Sequence, residues 1–147
     1  MASRRKGRIL AFQALYAWEA AGTSVEELTA FSWLEQPPDE KTAAFSRLLI
    51  GGTIENSGEV DCMIRSHLKN WDFSRLNRVD LAVLRMSAYT LMYQREVPPS
   101  IVIDEAIGIS KEFGADDSFR FINGVLDSIR RSIGEPASSG AAVSGIR

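Results

Sequence analysis

The chain has 147 residues, of which 45% are hydrophobic; it is long enough to bury one core and too apolar to be disordered. No apolar run approaches the roughly 20 residues that span a bilayer. The segment after the basic start is interrupted by Gln13 and Glu19, where a secretory leader needs an unbroken apolar run, and the one cysteine, Cys62, forbids an intrachain disulfide and points to a reducing, cytoplasmic setting. The net charge of −2 does not announce a nucleic-acid binder, but four of the 17 basic residues, Arg4, Arg5, Lys6 and Arg8, fall within the first eight positions with no acid among them. Such a basic end on an acidic body can hold one anionic partner locally. A solvated, frayed terminus is the plainer reading of the same residues.

The elements follow in chain order. Good helix formers and no proline predict a helix from about Ser3 to Ala21, with Gly22 as its C-terminal cap. Ser24 is placed to cap a short second helix ending near Leu34, and Pro37-Pro38 then break the chain. Asp39 caps a long third helix reaching about Leu68, in which Gly51, Gly52 and Gly58 mark a kink or a close approach. Trp71–Leu76 reads as a tight link with a single helical turn. From Val79 to Gln94 there are two apolar stripes, Leu81, Leu84, Ala88, Leu91 and Val79, Val83, Met86, Tyr93, and a helix apolar on two sides belongs in the middle of a bundle. A helix from Ser100 to Phe113 is closed by Gly114. The last helix opens at Asp116-Asp117-Ser118 and buries Ile122, Val125, Leu126, Ile129 and Ile133. No strand set is visible. The expected fold is all-α: one helical domain over residues 1–133 and a disordered C-terminal tail over 134–147.

Little here is suited to catalysis. His67, the only histidine, sits among Arg65, Ser66 and Lys69 and reads as an exposed helix end; with Cys62 it cannot make a metal site. Cys62, amid Val60, Met63 and Ile64, reads as a part-buried structural thiol. Gly51-Gly52 lacks the Lys-Ser/Thr of a phosphate loop. The acid pairs Asp104-Glu105 and Asp116-Asp117 are adjacent on helices and do not face each other; capping accounts for the second. No enzyme activity, metal or cofactor is therefore expected.

Binding chemistry is better represented. Arg5, Arg8, Phe12 and Tyr16 recur every three or four residues and share one strip of the first helix. Arginines pair with phosphates and aromatic faces stack on unpaired bases, which suits single-stranded RNA. Phe12 and Tyr16 as plain core residues is the competing reading. On the last helix, with Ile122 at the centre of the buried stripe, Arg120 falls nearly opposite and Phe121 about a quarter turn away, as ligand-facing groups or, for Phe121, as a flank of the core. Asp80 and Arg85 are charges on the most apolar helix and each needs a partner.

Taken together these residues resemble the NusB family. The segment Arg78–Leu91 (RVDLAVLRMSAYTL) is similar to that family's central helix. It is followed by Val97-Pro98, Ile103–Ile107 (IDEAI), Lys111–Gly114 (KEFG) and the most specific piece, Asp117–Asp127 (DSFRFINGVLD); Ala11–Tyr16 (AFQALY) matches the first helix. The resemblance implies about seven helices in two small packed bundles, and no cofactor. It implies binding of boxA-type single-stranded RNA together with the ribosomal protein NusE, in an antitermination complex on RNA polymerase. By position Tyr16, Asp117, Phe121 and the basic arm match RNA-binding positions, and Asp80 an acidic position linked to NusE. Phe119 departs from a residue often polar in relatives. Two other readings stand beside this one: a helical protein-interaction scaffold that binds no RNA, and a stand-alone relative of the NusB-like domain of RNA cytosine methyltransferases.

Overall fold

The computed structural model describes residues 2–134. Seven α-helices follow one another: α1 (Ala2–Ala21), α2 (Val25–Ala30), α3 (Glu40–Glu55), α4 (Ser57–Ser66), α5 (Arg78–Tyr93), α6 (Pro99–Phe113) and α7 (Ser118–Ile133). One 3-10 turn, Phe73–Arg75, lies between α4 and α5, and there is no strand among the described residues. None of the described helices is long and apolar enough to cross a membrane. Of the expected tail, 134–147, only Gly134 is described; its N–H bonds to the Arg130 carbonyl and closes α7, and residues 135–147 lie outside the described residues.

The two apolar stripes of α5 lead directly to its position. Every residue from Asp80 to Leu91 is buried, because α1 and α3 pack on one side of it and α4, α6 and α7 on the other. The chain thus forms two small bundles that share α5, with α2 seated on α3. Their apolar side chains join in one cluster that takes Leu15, Leu28, Ile50, Ile64, Leu84, Ile109 and Leu126 from the seven helices in turn. Glycine permits two of the close approaches. A Cβ on Gly7 would stand 2.6 Å from the Phe45 ring where α1 crosses α3, and one on Gly52 would collide with the Tyr89 hydroxyl.

Arg85 is held internally, as its place on an apolar helix requires. Its Nε and Nη2 donate to the two Asp61 carboxylate oxygens, both at 2.9 Å, and Nη1 donates to Glu19 at 2.8 Å. Burial alone would pull the guanidinium's pKa down; the two carboxylates outweigh it and hold it up.

Several local expectations are corrected. The second helix stops at Ala30, because Phe31 turns left-handed (φ 59°) to bury its ring, while the Trp33 indole N–H donates to the Leu28 carbonyl. The long third helix is two helices. Asn56 breaks it, its side-chain amide donating to the Gly52 carbonyl at 2.8 Å. Cys62 is exposed rather than part-buried. It lies two residues, roughly 200° of helix, from both buried Val60 and buried Ile64, and so faces away from the core. His67 is not at a free helix end: it is half-buried, with Nδ1 2.7 Å from Ser128 Oγ on α7.

Candidate nucleic-acid interface

The basic arm is the first two turns of α1 rather than a frayed segment. The Arg4 and Arg8 guanidinium carbons lie 4.2 and 5.4 Å from the centroid of one ring, Phe45 of α3. Arg5 Nη1 stands 3.5 Å from Glu105 on α6, and Lys6 is exposed. Arg8 is half-buried, and burial lowers its pKa against the opposing pull of Glu105. Ring and carboxylate thereby hold three guanidiniums along one edge of α1.

The strip predicted on α1 is interrupted in the middle. Phe12 is core, with its ring 5.3 Å from that of Phe113. Tyr16, one turn on, is 39% exposed. It borders a concavity of about 480 Å³ whose other walls include Phe113, Arg78 and Asn77. Leu76 and Asn77 also line a neighbouring pocket of about 300 Å³ that reaches Phe121, Asp117 and Asp80. Tyr16 and Phe121 therefore border two adjoining pockets that meet at Leu76 and Asn77, built from α1, the link before α5 and the α6–α7 turn. The arm lies apart from them: Arg8 is eight residues from Tyr16, roughly 12 Å along the helix axis.

At the far end Phe121 is half-buried. One side packs on the core and the other meets Trp71, with ring centroids 5.4 Å apart. Arg120 is exposed, its Nε 3.4 Å from the Asp117 carboxylate. Phe119 is half-buried between two cations, 4.6 Å from Lys111 Nζ and 5.0 Å from the Arg120 guanidinium carbon. Asp117 precedes α7 but does not cap it with its side chain, contrary to expectation. Its backbone is left-handed (φ 70°), and its carboxylate accepts from no N–H of the helix backbone; its carbonyl accepts from Arg120 N–H.

Asp80 is only 6% exposed, at the floor of the Phe121 pocket. Asn77 caps α5 by accepting from the Asp80 N–H at 2.8 Å, and Asp80 Oδ2 accepts from the Asn77 amide at 3.2 Å. Oδ1 makes no hydrogen bond. Burial raises the carboxyl's pKa, with Ser118 and Asn77 opposing. The folded chain thus holds this proton more tightly than the unfolded one, whose carboxyl titrates near 3.8. The stabilisation is full below that pH and is lost as pH rises through the folded value. Asp80→Asn is therefore expected to melt above wild type at neutral pH, with the gap closing as pH falls into the ordinary carboxyl range. A gap that is reversed at neutral pH would mean that the carboxylate is stabilised where it sits. Asp80→Lys, for the same reason of burial, is expected to disturb the fold.

Sequence reasoning missed Trp71, Arg75, Arg78 and Phe113 as parts of this surface. Trp71 carried a usable signal, a large aromatic in a short link. It is 56% exposed, the most exposed of the large hydrophobic side chains among the described residues. No group of three or more His, Cys, Asp or Glu side chains among the described residues is arranged to hold a metal ion.

The model of the NusB family matches residues 5–131. The chain belongs to the NusB family. It is 56% identical over 131 residues to the transcription antitermination protein NusB of Treponema pallidum (strain Nichols), covering 88% of this chain and 93% of that protein. With the protein of the same name from Treponema denticola it shares 51% identity over 129 residues, 86% and 95% of the two chains. Among solved structures, T. maritima NusB superposes with a TM-score of 0.79 at 35% identity, covering 87% of this chain and 90% of that one. A chain from the crystal structure of antitermination factors NusB and NusE in complex with dsRNA superposes with a TM-score of 0.76 over 90% and 98% of the two chains; at 23% identity it bears on the fold alone. The NusB match takes in Arg5 to Phe121 of the two pockets and the arm, and Arg4 lies one residue before it.

Proposed function

We propose that this chain is a cytoplasmic transcription antitermination factor that binds boxA-type single-stranded RNA together with NusE, within an antitermination complex on RNA polymerase. The observation that carries the reading is the pair of adjoining pockets bordered by Tyr16 and Phe121 in a chain of the NusB family. Two aromatic faces offer stacking surfaces to unpaired bases. Arg4, Arg5, Lys6 and Arg8 supply phosphate contacts that position the strand without reading it, and Arg120 adds one beside Phe121. The carboxylate of Asp117 repels phosphate, so its part is to accept from a base amino group. The NusE contact assigned to Asp80 is made through the pocket it floors, because the carboxyl itself is buried.

The test is a titration of a boxA-type single strand, and of a duplex, with and without NusE at two salt concentrations. Single-strand affinity is expected to rise with NusE and fall steeply with salt. Tyr16→Ala should lose roughly 1–3 kcal/mol of RNA affinity with melting near wild type. Phe121→Ala should lose affinity and some stability together, since its ring is half in the core. Arg5→Ala with Arg8→Ala should flatten the salt slope for all RNAs alike. NusE binding without any salt-sensitive RNA binding would instead identify a protein-interaction scaffold.

A further inference from the structure

Trp71 and Phe121 form a ridge, and only one flank of it belongs to the pockets described above. The other flank is a groove of about 290 Å³ between the end of α4 and the outer face of α7. Lys69, Arg120, Arg131 and His67 line it, and no carboxylate does. Lys69 is exposed and has no ion-pair partner among the described residues. Arg120 meets Asp117 at 3.4 Å and the Phe119 ring at 5.0 Å, Arg131 meets the half-buried Asp127 at 3.2 Å, and both guanidiniums stay largely in solvent. Exposed pairs of this kind contribute little and are readily exchanged for a phosphate.

The floor of the groove includes Gly124, in the middle of α7. A Cβ there would meet nothing within 4 Å, and its φ is not in the left-handed region. Neither packing nor backbone angle requires a glycine, and in a helix interior it is less stable than alanine. Its effect is to leave the groove open beside the exposed Trp71 ring.

We propose that this groove is a second RNA subsite, in which a single strand continuing past Phe121 lays its phosphates against Lys69, Arg120 and Arg131 and stacks a base on Trp71. The proposal rests on the RNA-binding reading above and extends its footprint. The two flanks divide the work. Asp116 and Asp117 on the first flank repel phosphate and accept from base amino groups, while the cations of the second attract the backbone. A groove with cations and no acid matches a polyanion better than a mixed-charge protein surface.

The experiment uses the full chain with NusE and two RNAs, a boxA-type strand and the same strand lengthened by uridines at either end. Wild type is expected to bind the longer strand more tightly and with a steeper salt dependence. Gly124→Glu puts bulk and negative charge into open space and improves helix propensity. It is expected to melt at or above wild type, to keep the short strand and to lose the added affinity for the long one. Lys69→Ala with Arg131→Ala is expected to reduce the salt slope for the long strand by about 1.4, ~0.7 for each phosphate released. If the added nucleotides bring wild type nothing, or Gly124→Glu binds the long strand as wild type does, the subsite is overturned and the primary reading survives. If neither strand binds wild type, both fall. Variants that lose NusE and not RNA would make the groove a protein surface and overturn the proposal.

Discussion

Arg85→Ala is expected to lower the free energy of unfolding by about 3–5 kcal/mol, measured by urea denaturation. The magnitude follows from what is left behind rather than from the bonds lost. The Arg85 side chain is 8% exposed and Asp61 only 16%, so removing the cation strands a nearly buried carboxylate with no other side-chain cation bonded to it. The Trp18 and Phe73 rings flank the guanidinium carbon at 5.4 and 5.9 Å and leave little room for water to replace it. The group also joins Glu19 of α1, Asp61 of α4 and Arg85 of α5, so its loss loosens both bundles at once. Arg85→Met should be nearly as damaging, and adding Asp61→Leu to it should restore most of the stability, because an apolar pair of similar volume carries no desolvation penalty. A single Arg85→Ala within about 1 kcal/mol of wild type would mean that the cluster is solvated and the charges are worth what surface pairs are worth.

Phe12→Ala is expected to cost about 3–5 kcal/mol of stability, with the folded fraction still binding RNA at near wild-type affinity. Its ring is enclosed against Phe113 and the shared core and presents no face to a ligand. Tyr16→Ala, four residues away on the same helix, is expected to do the reverse. Melting and RNA affinity measured on the two variants side by side would check both assignments. A Phe12→Ala protein that melts normally but binds RNA poorly would make Phe12 part of the interface rather than of the core.

That pair also shows what was legible in the sequence and what was not. Spacing by three and four residues puts Arg5, Arg8, Phe12 and Tyr16 on one strip, but spacing does not say where along a strip the neighbouring helix ends, and Phe12 is buried. Phe12 lies under Phe113 and Tyr16 just beyond it. The all-helical fold and the central position of α5 were readable because its two apolar stripes admit only a helix surrounded by others. The break at Asn56 was not, because it turns on one residue whose side-chain amide joins its own backbone N–H on the Gly52 carbonyl, while the apolar pattern runs on through it. Asp117 was misread for a similar reason: its residue type suits a cap, but its backbone is left-handed and its carboxylate accepts from no N–H of the helix backbone. The basic groove behind Trp71 was invisible because Lys69, Trp71, Arg120 and Arg131 meet only after α7 folds back past the end of α4.

The sharing of α5 by both bundles bears on how the chain emerges from the ribosome. Domains usually fold from the N-terminus as they are made. Here α1, α2 and α3 are complete at Glu55, but the helix that covers their apolar face begins only at Arg78, after all of α4 and the 3-10 turn. Until α5 clears the exit tunnel the nascent chain carries Leu15, Leu49 and Ile50 with a helix that packs on both α1 and α3 still unmade. Once it does, the same helix presents its other side to α4, and later to α6 and α7, so completion of the first half supplies the template on which the second half folds.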